Sequence, residues 1–305
     1  MNKKLITAIM AAVLSITSIN MVKADAPKPA TVAILDTALN AKLPEFKDKI
    51  VQEVCILEWN SCANGQSYME GPGAASMPLK QMIVNGFDHG TKMTSTQVLT
   101  NPNIKVVFIR IIGATPTGVR QIANENTFLN AFNWIISNKD KYNIQAVALS
   151  QGHGNFMPGS NYCPTTPNTV NAINSLDSMG IPVFVAAGNN RDLNRIFWPS
   201  CIPSSIAVSA SSVTDGIAVY SNYDKNLTDM FANGRLKVTN PEGYYFFEDG
   251  TSISAQVAAA IYMGLKTKYT EYSKQQILDL MKSKSYPVKN KTIPGYIVSK
   301  DILNG

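Results

Sequence analysis

Residues 170–189 read VNAINSLDSMGIPVFVAAGN, and this stretch decides the architecture. Val170, Ile173, Leu176 and Met179 recur at three-residue steps and form one apolar stripe of a helix. Gly180 stands where helices end on a left-handed residue, and Ile181-Pro182 opens the next element. VFVAA (183–187) then runs apolar without alternation, as a strand buried on both faces does. It ends at Gly188-Asn189. Helix, stop, buried strand and polar exit together make one unit of a covered parallel sheet.

The same signature recurs on both sides. TVAIL (31–35), KVVFIRII (105–112), AVAL (146–149) and SIAVSA (205–210) are further continuous apolar runs. Phe128, Leu129, Phe132, Ile135 and Ile136 form a second helical stripe, and Ser273 with Gln276 makes a capping box for a helix bearing Ile277, Leu278 and Met281. The expected fold class is therefore α/β, in three layers, with a mostly parallel central sheet and helices on both faces. Such sheets gather ligands at the carboxyl ends of their strands. The polar residues at those ends are Asp36, Ser150-Gln151-Gly152 and Gly188-Asn189.

The chain has 305 residues, 45% hydrophobic and 16% charged, which suits a sizeable core and argues against disorder. Its net charge is +6, but Lys3, Lys4 and Lys23 lie in residues 1–24, where no acid occurs. The remaining balance is too mild for a nucleic-acid partner, and the basic stretch MKSKSYPVKNK (281–291) reads as solvated surface. Residues 1–24 combine a cationic start, the apolar run LITAIMAAVLSITSI and small residues at Val22 and Ala24. That pattern predicts a cleaved export signal, leaving residues 25–305 as a single domain, with no membrane association afterwards. The destination is periplasmic or extracellular. Export permits disulfides. Cys55, Cys62, Cys163 and Cys201 allow three pairings, of which the two local ones, Cys55 with Cys62 and Cys163 with Cys201, are favoured. Their spacings do not suit a metal site, and none is expected.

Two histidines restrict the candidate chemistry. His89 lies where a helix can begin. Ser252 lies in GTSISAQVAAAIYMGL, a glycine-led turn into an apolar helix, where free backbone N–H groups can stabilise an oxyanion. A serine nucleophile needs an imidazole to take its proton, and the imidazole needs a carboxylate to fix its tautomer. Asp36 at a strand end is a candidate for that carboxylate. The order Asp, His, Ser excludes an α/β-hydrolase, whose histidine follows its serine. No GxxxxGK[ST] loop or H-E-x-x-H motif occurs, which argues against nucleotide binding and zinc proteolysis.

These residues sit in motifs that resemble those of the subtilisin-like serine proteases. VAILDTALN is similar to the family's Asp motif, DHGTKMTS to its His motif, VFVAAGNN to its oxyanion Asn motif and GTSISAQVAAA to its Ser motif. VALSQG resembles the substrate-binding strand. The resemblance spans about residues 31–285 and implies a subtilisin-like fold and endopeptidase activity on polypeptides. It implies that Asp36 orients, His89 acts as base and then acid, Ser252 attacks, and Asn189 donates to the oxyanion. It further implies that Ser150, Gln151 and Gly152 offer backbone groups to an extended substrate. A monomer without cofactor is implied. Calcium is common in the family, but no ligand set stands out here.

Four positions depart from those motifs. Ala38 replaces a glycine, a strained choice if the site needs positive φ. Lys92 puts a positive charge one helical turn from His89, where it would disfavour the imidazolium. Ser95 replaces a glycine at an expected close contact, and Gln256 replaces a proline. Two alternatives follow: a pseudoprotease that grips extended peptides without turnover, or an esterase on the same fold. The stretch between residue 25 and Asp36 is too short for a pro-domain, so restraint of activity would have to come from elsewhere. His153 reads as a loop residue, and Trp59, Trp134 and Trp198 as packing residues.

Overall fold

The computed structural model describes residues 29–115, 119–120, 123–153, 163, 167–290 and 292–304. The export signal read at residues 1–24, and the loop at 154–162 that would help shape a specificity pocket, lie outside them.

The strands are β1 (Thr31–Asp36), β2 (Ile50–Ile56), β3 (Tyr68–Glu70), β4 (Lys105–Arg110), β5 (Ile144–Leu149), β6 (Val183–Ala186) and β7 (Ile206–Ser211), followed by β8 (Met230–Asn233), β9 (Arg235–Thr239), β10 (Tyr245–Asp249), β11 (Tyr286–Pro287) and β12 (Tyr296–Val298). The helices are α1 (Leu79–Val84), α2 (His89–Thr100), α3 (Glu125–Tyr142), α4 (Pro167–Ser178), α5 (Thr251–Lys268) and α6 (Lys274–Ser283). The five apolar runs read from sequence are β1, β4, β5, β6 and β7, adjacent in the sheet and mutually parallel. Among the described residues the main sheet has the order β11-β12-β8-β7-β6-β5-β1-β4-β2-β3, and only the outermost strands β3 and β11 pair antiparallel. β9 and β10 form a separate antiparallel ribbon.

The central strands are largely apolar because both their faces are covered. Val32, Ile34, Val106, Phe108, Ala146 and Ala148 face one core, packed by α5 and α2. Ala33, Leu35, Val107, Ile109, Val147 and Leu149 face the other, packed by α3 and α4. α5 is buried almost all round. Its alanines let it lie close to the sheet, and a helix apolar on every side is stable only inside the protein. α6 starts with the predicted capping box, Ser273 Oγ accepting from Gln276 N while Gln276 Oε1 accepts from Ser273 N. α3 starts on Asn124, whose side chain accepts from Thr127 N.

Two disulfides join Cys55 to Cys62 and Cys163 to Cys201. The packing expectation holds for Trp134 and Trp198, which are buried. Trp59 is a correction: it is 45% exposed, because it lies at the tip of the loop that the first disulfide closes.

Candidate active site

The carboxyl ends of β1, β5 and β6 bring Asp36, Ser150 and Asn189 to one edge of the sheet, where α2 and α5 begin. Asp36 is fully buried, and its Oδ1 accepts from His89 Nδ1 at 2.7 Å. The same oxygen accepts from Thr37 N at 2.7 Å and from Gln151 Nε2 at 3.0 Å. The His89 side chain keeps 20% exposure, so its ring opens toward solvent on the far side from Asp36.

Local sequence fixes where His89 stands. Thr37 Oγ1 donates to Phe87 O at 2.8 Å and accepts from Gly90 N at 2.7 Å. It thereby satisfies one of the free N–H groups at the head of α2, a task that Asp88 at the N-cap leaves undone. Gly90 lets the helix close on β1. A Cβ there would lie 2.6 Å from the Phe108 ring and 2.7 Å from Ala38 O, so no larger residue fits behind His89.

Ser252 is the second residue of α5. Thr251 N and Oγ1 both donate to Asn189 Oδ1, at 2.9 and 3.0 Å, which turns Asn189 Nδ2 toward the helix start. A Cβ built on Gly250 would sit 3.5 Å from Asn189 Nδ2 and 3.6 Å from Ser252 N. Two donors thus border one open space, and neither has a partner among the described residues. Two such donors suit a negatively charged oxygen. Beside it lies a cavity of about 200 Å³ lined by Gly152, Ala186, Gly188, Phe197 and Ser252, among others.

The serine hydroxyl is directed elsewhere. Ser252 Oγ donates to Ser150 O at 3.3 Å, Ser150 Oγ donates to Ser252 O at 3.2 Å, and no Ser252–His89 hydrogen bond occurs among the described residues. Of the three residues read as a substrate edge, Ser150 is therefore bonded to Ser252, and the Gln151 side chain to Asp36. Arg120 Nη2 holds Gln151 Oε1 at 3.1 Å. Gly152 lies against Trp198 O, to which His153 N donates at 3.0 Å.

Each of the four departures has a place in the fold. Ala38 is not among the residues with positive φ, so the strain expected there is absent; it is a buried residue donating its N–H to Phe87 O. Lys92 is held by Asp88 at 2.9 Å and Glu248 at 3.1 Å, so its charge is neutralised locally rather than directed at His89. Burial alone would lower the Lys92 ammonium, but the two carboxylates raise it above its ordinary range. Ser95 Oγ accepts from Thr239 N at 3.0 Å and donates to Thr239 Oγ1, tying α2 to β9. Gln256 is fully buried and bonded at both ends of its amide.

His153 stacks on Trp198 with ring centroids 4.8 Å apart. Burial pushes its imidazole below the ordinary 6.5, partly opposed by Glu125. The unfolded chain therefore takes up this proton first as pH falls, and stability present above pH ~6.5 is lost below it. We expect His153→Phe to flatten the drop in urea midpoint between pH 7.5 and 5.5. An identical drop in both proteins would contradict this account.

Among the described residues no group of three or more His, Cys, Asp or Glu side chains is placed to hold a metal ion, and no helix is long and apolar enough to cross a membrane. Calcium, common in the resembled family, is assigned no residues here.

A parallel three-layer sheet with a buried Asp–His pair, and a serine at a neighbouring helix start, defines a class of protein. The Subtilase family (peptidase S8) matches residues 28–296, and the chain belongs to that family. M-protease of Shouchella clausii is 23% identical over 73% of this chain and 56% of its own length. Subtilisin E of Bacillus subtilis is 24% identical over 65% and 51%. The chain thus spans about half the length of the curated relatives it matches. A protease of Pseudoalteromonas arctica superposes with a TM-score of 0.70 at 22% identity, covering 90% of this chain and 89% of that one. A cold-adapted subtilisin-like serine proteinase superposes at 0.67 and 18% identity, covering 89% and 88%. Both share the fold.

Proposed function

We propose that this chain is an exported serine endopeptidase acting on polypeptides as a monomer, with residues 25–305 forming one peptidase domain after removal of the leader. The observation that carries the reading is the 2.7 Å bond from His89 Nδ1 to a buried Asp36, beside two unclaimed donors at the start of α5. In this reading Ser252 Oγ turns from Ser150 O toward His89 Nε2. It gives up its proton to that nitrogen as it attacks the scissile carbonyl carbon. The carbonyl oxygen takes the negative charge and is held by Ser252 N and Asn189 Nδ2. His89 then passes the proton to the leaving amine, and the C–N bond breaks to give an acyl-enzyme. Water enters through the same two proton transfers and releases the acid. Catalytic hydrogen bonds are often unformed without substrate, which suits the resting position of Ser252 Oγ. The two disulfides suit an oxidising destination.

One observation favours a second reading. Because Ser252 Oγ is bonded to Ser150 O, a pseudoprotease would keep that bond and only grip peptides. A fluorophosphonate probe at pH 8 separates the two. Labelling of wild type but not Ser252→Ala, mapped to Ser252, is the expected result. A folded wild type that stays unlabelled overturns the protease reading and leaves the binding one.

A further inference from the structure

The candidate base and nucleophile stand at the heads of two packed helices, and those helices meet again lower down through a pair of buried amides. Gln97 lies eight residues after His89 on α2, about two turns along the same face. Gln256 lies four residues after Ser252 on α5, about one turn along. Both side chains are fully buried. Gln97 Nε2 donates to Gln256 Oε1 at 2.7 Å, and Gln256 Nε2 donates to Ser150 Oγ at 2.8 Å. Ser150 Oγ in turn donates to Ser252 O at 3.2 Å. One amide therefore ties the helix of the base, the helix of the nucleophile and the strand end at the edge of the cleft.

Packing alone does not ask for amides here. Gln97 Oε1 has no partner among the described residues. Two apolar side chains of similar volume would leave no polar atom unpaired, and such replacements in cores are often neutral. What an amide pair adds is a fixed length and direction between the two helices, which apolar contact does not impose. Active-site groups need to be held to within about 0.5 Å of their working geometry.

We propose that Gln97 and Gln256 are positioning residues: a buried strut that sets how closely His89 approaches Ser252. Neither touches substrate, and the inference rests on the triad reading above for its functional meaning. Asn101 Nδ2 reaches Ala260 O at 3.4 Å at the far end of the same contact, and Met93 lies in one buried cluster with Ile253 and Val257, so the helices stay packed without the strut, but among the described residues no other side-chain hydrogen bond between them fixes their spacing near His89.

The test compares wild type with Gln256→Met and with the pair Gln97→Met/Gln256→Met. The single variant strands the Gln97 amide and lowers the thermal midpoint. The double variant removes both amides and returns the midpoint to within about 3 °C of wild type. It nonetheless keeps kcat about 10- to 100-fold low with KM changed less than about twofold. In its crystal structure the Ser252 Cβ to His89 Nε2 separation lengthens by about 0.5 Å or more. An unchanged separation overturns the strut, whatever the activity. A lengthened separation in a protein whose wild type proves inert upholds the strut and overturns the protease reading instead. A Leu pair gives the same readout if the Met pair does not fold.

Discussion

Asp36→Asn is expected to lower turnover of a peptide substrate by about 10⁴-fold while leaving the fold intact. The two side chains have the same shape, so the difference is charge and tautomer. In the wild type Asp36 Oδ1 accepts three hydrogen bonds, one of them from His89 Nδ1. Asp36 Oδ2 is buried with no partner, and no Lys or Arg forms an ion pair with Asp36 among the described residues. In the proposed reaction the imidazolium is thus the only counter-ion in contact with this carboxylate among the described residues. Asparagine removes that stabilisation. Turned with its nitrogen toward His89, at the cost of the bonds that Thr37 N and Gln151 Nε2 make to that atom, it also demands an acceptor at Nδ1 and so moves the ring proton to Nε2, where the base must be free. The check is kcat on a peptide substrate together with nitrogen NMR of the imidazole. A loss below tenfold would take Asp36 out of the triad.

The second large effect is expected at the two donors beside Gly250. Asn189→Ala should reduce kcat by about 10²- to 10³-fold with little change in KM, since a hole of this kind binds the developing charge more than the ground-state carbonyl. Asn189 Oδ1 also anchors Thr251, so thermal stability needs to be measured alongside. Gly250→Ala gives an independent route. Its methyl would make ordinary contacts of 3.5 and 3.6 Å with Asn189 Nδ2 and Ser252 N, so the fold tolerates it while the space between the donors fills. Because both changes disable one feature, their combined loss should fall well short of the product of the two. Multiplying losses would mean that the donors do not share an oxyanion.

How much of this was legible in the sequence depended on range. The five central strands were readable because burial on both faces leaves an unbroken apolar run. Asp36, Ser150 and Asn189 followed from strand ends, and His89 and Ser252 from helix starts. The strand Ile50–Ile56 was missed because Gln52 and Glu53 interrupt its pattern; Glu53 is buried there only because its carboxylate accepts from Gly73 N and Ala75 N. The ribbon β9–β10 has one exposed face and lies off the main sheet, so it lacks the signal of the core strands. The ion pairs of Lys92 lie beyond a local reading for a related reason. Asp88 is its neighbour on the helix, but Glu248 comes from the far end of the chain, and no local reading pairs them. Gln256 reads in the sequence only as the replacement of a proline. Its meaning depends on how α2 crosses α5, which neither helix specifies alone.

The place of β1 in the sheet sets the order of events during chain growth. Among the described residues it is the first strand made, yet it lies between β4 and β5. It cannot be enclosed until residue 149 has been added, and pairings between such distant segments form slowly. Ser252 comes later still. On the protease reading, a nascent chain that has not reached residue 252 holds Asp36 and His89 without a nucleophile.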